Sequence, residues 1–395
     1  MKVLNRYTKL AVGALSLIAT LSLTTAGYAQ GGHPADRTPT GLARGEGAAF
    51  AMTNRSSDNQ IVSYKRAVDG ALTRVGTTST RGRGIGTDLD TQGPLQLSAD
   101  HRFLYATNAG SDDVTVFAVN GTHLSFVQKV YAGDEPNSLT IHDNLLYVLD
   151  GSVAANGIRG FTVHANGRLT EIPNSVRLLS SPIAVPGTIQ FSPDGRLLLV
   201  TEKTTNEVLS PERAIDAFRI GSDGTASAMP QRDASNGVRP FSLAFRNDGQ
   251  LLVAESFDAT PGKAAVSSYQ VSATGSLAVT SGSIPNYQTD SCWIVITKNG
   301  RYAYTANFGS GTISSYSINS TGTIHLIDGK AAFLGAVSQP VDLAQTANSQ
   351  YLYLLLRGSG AVAAFQVSTD GSLHRLGVTT GGLPVADGAS GLAAY

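Results

Sequence analysis

What the chain lacks narrows its class before any motif is read. One Cys in 395 residues excludes an internal disulfide and a thiolate metal site, so stability has to come from packing. Charged residues are scarce at 15%, and 29 Lys and Arg balance 29 Asp and Glu. A formal net charge of zero leaves no electrostatic footprint for a nucleic-acid partner. Long apolar runs are few, and the one at Leu10–Leu23 is shorter than the roughly 20 residues of a membrane span. What is abundant is glycine, with 43 residues. Low charge with much Gly, Ser and Thr describes short strands joined by tight turns, not a helical bundle.

The first 29 residues carry an export pattern. Lys2, Arg6 and Lys9 precede the apolar run, and Gly27-Tyr28-Ala29 supplies small residues for a cut before Gln30. The sequence therefore predicts a signal peptide over 1–29, a tail over 30–44 and one domain over 45–395. The mature protein is expected to be periplasmic or secreted, with no membrane span.

Internal repetition predicts the fold. An apolar stretch recurs at Phe50, Phe103, Leu145, Leu197, Leu251, Tyr302 and Tyr351. Each is followed by an alternating strand ending near an aromatic, such as Val114-Thr-Val-Phe117 or Ile313-Ser-Ser-Tyr316, and then by a hairpin turn. Asp69-Gly70, Asn120-Gly121, Asn166-Gly167, Asp223-Gly224 and Asp370-Gly371 are such turns, with residues that tolerate positive φ. A further strand precedes each stretch, as in Ser138-Leu-Thr-Ile141 and Trp293-Ile-Val-Ile296, except in the first copy. The period of roughly 50 residues is that of propeller blades. The chain ends on an unpartnered Ser390-Gly-Leu-Ala-Ala-Tyr395 that has the missing pattern. The expected fold is an all-β, seven-bladed β-propeller of four-stranded antiparallel blades, closed by the C-terminal strand, with an open two-sheet sandwich as the alternative.

In such a ring the chain enters every innermost strand from one face, here called the top. The Asp-Gly and Asn-Gly turns fall on the bottom, so a site is expected at the top mouth of the central channel. All seven His lie in the tail or near bottom turns, which argues against a His base or a His-held metal, and no metal or cofactor is expected. The top offers acids and cations instead: Glu202-Lys203 and Glu255 at the ends of second strands, Arg239 in an interblade loop, and Arg357. A lactone hydrolase needs a base for water and a cation or donor where charge grows on the carbonyl oxygen. Glu255 or Glu202 is the candidate base, and Lys203 or Arg239 the candidate electrophilic group. These residues are expected to converge in one interblade mouth; the other reading is that they pair to hold blades four and five together. Cys292 reads as a filler of the channel wall, since no His stands near to activate it. Trp293 packs between blades or offers its indole to a ligand.

The Ser-Pro-Asp-Gly-Arg-Leu-Leu-Leu-Val run at 192–200, the loops Asn108-Ala-Gly-Ser111 and Asn307-Phe-Gly-Ser310, and the Asp370-Gly-Ser-Leu373 turn resemble the seven-bladed lactonase family. That family includes 6-phosphogluconolactonases and carboxymuconate cyclases, and the resemblance covers about residues 45 to 395. It implies hydrolysis of a small lactone or sugar-acid lactone. Trp293, Arg357 and Asn307 are the expected ligand contacts, and a monomer is expected. Cyclase-type relatives are thought to use a His, Arg residues and a Glu at the mouth. Here Gly187-Thr188 and Phe241-Ser242 stand where the family has His and Arg-His, while Arg239 lies just upstream and Glu255 sits near the acidic position. The alternative function is a non-catalytic propeller that binds a ligand or protein through its top loops.

Overall fold

The computed structural model describes residues 42–152, 156–181, 184–205, 213–385 and 388–395, and the expected signal peptide lies outside them. The second strands are the most deeply buried elements. Phe103–Asn108 and Tyr351–Leu356 are buried at every residue, because each blade is packed on both faces by its neighbours. Outermost strands such as His123–Tyr131 expose most of their length.

Seven antiparallel sheets follow in chain order, each running from an innermost to an outermost strand. Neighbouring innermost strands pack on one another all the way round, so the expected seven-bladed propeller is the fold of the chain. In blade three the outer edge is split into Leu169–Glu171 and Arg177–Leu178, both paired to Gly157–Val163.

A tyrosine in the second strand links most blades to the next. Tyr147, Tyr304 and Tyr353 each donate a hydroxyl hydrogen bond to the carbonyl of Gly224, Gly371 and Gly70, in the outer hairpin of the following blade. Gly70 has φ +86°, and a Cβ there would stand 2.3 Å from the ring of Tyr351. The turn glycine thus serves both the hairpin and the close approach of two blades.

Closure is made as the repeats predict. Leu392–Ala394 pairs with Gly47–Met52, with Ala394 opposite Ala49 and Leu392 opposite Ala51, and supplies the innermost strand of blade one. Asp342, in the innermost strand of blade seven, accepts hydrogen bonds from Gly391 N at 2.6 Å and Ser390 Oγ at 3.2 Å. Its other oxygen accepts from Gly93 N at 3.4 Å.

Gly93 belongs to the connection between blades one and two, residues 80–94, the longest between any two described blades. Its second half crosses the top of the channel. Thr91 Oγ1 donates to Gly187 O in blade four, and the Gln92 amide is bonded at both ends to the backbone of Ile294 in blade six. Leu139 of blade three donates to Gly93 O. Long loops without secondary structure inside a compact fold are commonly functional. This one plugs the ring.

Candidate functional site

The crossing segment delivers carboxylates to the cations that the sequence singles out. Lys203 Nζ donates to Asp90 Oδ2 at 2.6 Å and also to Asp90 O. Arg239 Nη2 reaches the same carboxylate oxygen at 3.1 Å. Arg357 Nη1 stands 2.5 Å from Asp88 Oδ1, with its guanidinium 4.6 Å from the centre of the Phe308 ring. Cations from blades four, five and seven therefore converge on one short stretch of chain.

Exposure divides these groups. The Lys203 side chain is 1% exposed, whereas Asp90 is 37% and Arg239 28% exposed. Burial pushes the Lys203 pKa down, and the charge and hydrogen bond of Asp90 oppose that shift. Phe241 lies under its ammonium at 4.6 Å.

Arg239 is fixed by strained backbone. It adopts φ +54°, directly before the innermost strand Pro240–Phe245, and Phe257, Asp258 and Ala259 of the facing loop are also left-handed. The two segments are tied by Ser256 N to Arg239 O at 3.1 Å and Phe257 N to Val238 O at 3.2 Å. Left-handed backbone costs about 1 kcal/mol or more at each such residue. What that strain secures is an Arg239 held at one tip by Asp90, with Asp258 3.7 Å from the other.

A further acid stands at the equivalent place in blade six. Asp290, φ +63°, precedes the innermost strand Ser291–Ile296. Cys292 Sγ donates to its Oδ1 at 3.1 Å, and its Oδ2 has no hydrogen bond among the described residues. Burial raises the Asp290 pKa, while the Cys292 hydrogen bond and the charge of Arg239 lower it. The Cys292 thiol is itself buried and its pKa is pushed well up, which fits the expected filler and excludes a ready thiolate.

The expected convergence of Glu202 and Glu255 with Arg239 needs correction. Both glutamates are fully buried, each inside its own blade. Glu255 accepts from Gly237 N at 2.8 Å, Ser267 Oγ at 2.6 Å and Ser283 Oγ at 2.7 Å. Glu202 accepts from Ser181 N and Ser180 Oγ, beside Asp216, and burial together with the Asp216 charge pushes its pKa up to about 7. Asp150 accepts likewise from Asp134 N and Glu135 N, and Asn307 from Asn286 Nδ2 and Ser291 Oγ. All four occupy one repeat position, where an acceptor ties down the loop that enters the same blade. That is why these carboxylates turn away from the mouth.

Of the expected ligand contacts, only Arg357 stands at the mouth. Asn307 is one of the loop clasps, and Trp293, 2% exposed, packs against Phe241 and donates from Nε1 to Thr91 O at 2.8 Å. The acids that do stand there, Asp88, Asp90 and Asp290, were not singled out. The unusual length of residues 80–94 and the match of Asp290 to Arg239 in repeat position are the signals that could have found them.

A cavity of about 800 Å³ lies elsewhere, on the bottom side of the plug. Gln92 forms its ceiling, and Gln96, Thr140, Gln190 and Phe191 line it, with Asp100, Arg102 and Asp143 on exposed turns at its rim. Its wall holds amides, hydroxyls and apolar rings together with His142 and His164, whose Nε2 atoms are bonded to Pro193 O at 3.1 Å and Thr170 Oγ1 at 2.9 Å, whereas the buried cations and the carboxylates that meet them lie at the top.

Solved structures of the same fold include a Lactobacillus plantarum protein, 16% identical, with TM-score 0.69 over 89% of this chain and 99% of that one. A candidate 6-phosphogluconolactonase of Bacteroides fragilis is 17% identical, with TM-score 0.67 over 89% and 98% of the two chains. The periplasmic gluconolactonase of Pseudomonas aeruginosa is 16% identical, with TM-score 0.67 over 88% and 99%. No curated protein sequence matches the chain. The model of the 7-bladed β-propeller lactonases matches residues 42–185 and 210–335, and the chain belongs to that family.

Proposed function

We propose that the protein is an exported lactone hydrolase working at the top mouth, with Asp290 as general base and Arg239 as the group that meets the carbonyl oxygen. The observation that carries this reading is their joint placement at the entries to neighbouring blades, both on left-handed backbone. Asp290 keeps one oxygen unbonded among the described residues, and its raised pKa moves it towards the range in which a carboxylate takes a proton from water. Asp258 is too far from Arg239 Nη1 for a hydrogen bond, so that tip retains protons for an oxygen on which negative charge grows. Lys203 acts through Asp90, which it fixes against Arg239.

The substrate is a small lactone or sugar-acid lactone, a reading supported by family membership and by the gluconolactonase among the structural neighbours. Export is supported by the basic and apolar start of the sequence and by that neighbour's periplasmic description; no helix of the described residues is long and apolar enough to cross a membrane. The test is hydrolysis of lactones of differing ring size by wild type and Asp290→Asn. The variant should lose on the order of 100-fold in rate with its melting temperature kept. A wild type inert on every lactone would sink this reading and favour a ligand-binding propeller without chemistry.

A further inference from the structure

We infer that Asp88 and Asp90 determine specificity, making the mouth select uncharged lactones over phosphorylated or carboxylated ones. This inference rests on the hydrolytic reading above. Lys203, Arg239 and Arg357 would by themselves form a cationic cradle suited to an anionic group. In the folded chain that cradle is already filled. Asp90 Oδ2 takes both Lys203 and Arg239, at 2.6 and 3.1 Å, and Asp88 takes Arg357. Asp258 stands 3.7 Å from the remaining tip of Arg239. An incoming phosphate therefore finds Lys203 and Arg357 already paired and only the Nη1 tip of Arg239 free of a hydrogen bond, with the carboxylates of Asp88, Asp90 and Asp290 around it.

The carboxylates cannot withdraw to make room. Leu89, between them, is 5% exposed and packs in the core of blades one and two. The next three residues are bonded to blades three, four, six and seven, through Leu139, Gly187, Ile294 and Asp342. Turning Asp90 aside would strip a buried ammonium of its only carboxylate among the described residues. A neutral ring with hydroxyl groups has no such conflict, since it can donate to the exposed part of Asp90.

Inorganic phosphate, titrated calorimetrically into wild type, Asp90→Asn and Asp88→Asn, tests the claim without turnover. Wild type should show no submillimolar binding, and each variant should bind phosphate at least about tenfold tighter than wild type. In hydrolysis, wild type should favour D-glucono-1,5-lactone over its 6-phosphate by about tenfold in kcat/KM, and both variants should narrow that ratio. Should Asp90→Asn fail to fold, Asp88→Asn decides, because its cation rests on Phe308 and keeps that support. Submillimolar phosphate binding by wild type, a preference for the phosphate ester, or unchanged affinity in a folded Asp88→Asn protein would each overturn the inference. Loss of hydrolysis on all substrates would end the catalytic reading, while the phosphate titration would still judge the charge filter.

Discussion

Lys203 in blade four donates to Asp90 across 2.6 Å, although the two residues are 113 positions apart. The bond fastens the connection between blades one and two to the far side of the ring. Because the lysine is buried and the aspartate partly exposed, the two partners depend on each other unequally. The plug has no strand pairing of its own. It is held by side chains and backbone groups of five other blades, and it places Asp88 and Asp90 at the mouth.

That inequality gives a stability prediction. Asp90→Ala leaves a buried ammonium without a carboxylate and should cost about 3–5 kcal/mol, the range for breaking a buried pair. Lys203→Met leaves Asp90 with Arg239 and solvent, and should cost about half as much or less. Urea unfolding of the two variants measures the difference. Equal losses, or a larger loss for Lys203→Met, would show that the pair is not what fastens the plug.

Ring closure should depend on pH through Asp342. Burial raises its pKa from 3.8 to about 6, against the lowering effect of bonds from Gly391, Gly93 and Ser390. The folded chain holds this proton more tightly than the unfolded chain, so the stability it contributes is lost as pH rises from about 4 to about 6, and the loss is constant above. Asp342→Asn has no proton to lose. Its melting temperature relative to wild type should therefore climb across that window and then level off. A difference that stays flat from pH 4 to 7 would remove Asp342 as the cause.

The fold was legible because every blade repeats the same burial problem, and the repeat shows as apolar stretches, hairpin glycines and an orphan C-terminal strand. The site was legible only in part. Arg239, Lys203 and Arg357 stand out as cations on the top, and the structure gathers them. Glu202 and Glu255 misled because they recur in register with Asp150 and Asn307, and a residue that follows the repeat serves the repeat. Asp90 reaches the mouth by a crossing whose contacts come from five blades, and no local pattern in residues 80–94 encodes them. Asp290 has a repeat position shared with Arg239, but its meaning depends on Cys292 and on burial.

Glu255 separates the two assignments of the base. Glu255→Ala leaves the buried Gly237 N–H without an acceptor and should cost about 2–3 kcal/mol, whereas Glu255→Gln keeps an oxygen for it and should cost about 1 or less. In both variants the lactone hydrolysis rate per folded molecule should equal that of wild type. A stable Glu255→Gln protein with hydrolysis reduced on the order of 100-fold would return the base to Glu255.

Cys292 offers a graded test of Asp290. The thiol hydrogen bond to Oδ1 favours the ionised carboxylate and so holds the Asp290 pKa below where burial alone would put it. A base is active when ionised, so activity should rise with pH through the Asp290 pKa and level above it. Cys292→Ala removes the donor, which should move that acidic limb to higher pH while the plateau rate stays within a few-fold of wild type. Cys292→Ser restores a hydroxyl donor and should bring the limb back to the wild-type position or below. Asp290→Asn should abolish the limb together with most of the rate. The pH–rate profiles of the three variants, read beside their melting curves, decide the matter. A limb that ignores Cys292→Ala would mean that a different group takes the proton, and a plateau abolished in Cys292→Ser would make the thiol itself part of the chemistry.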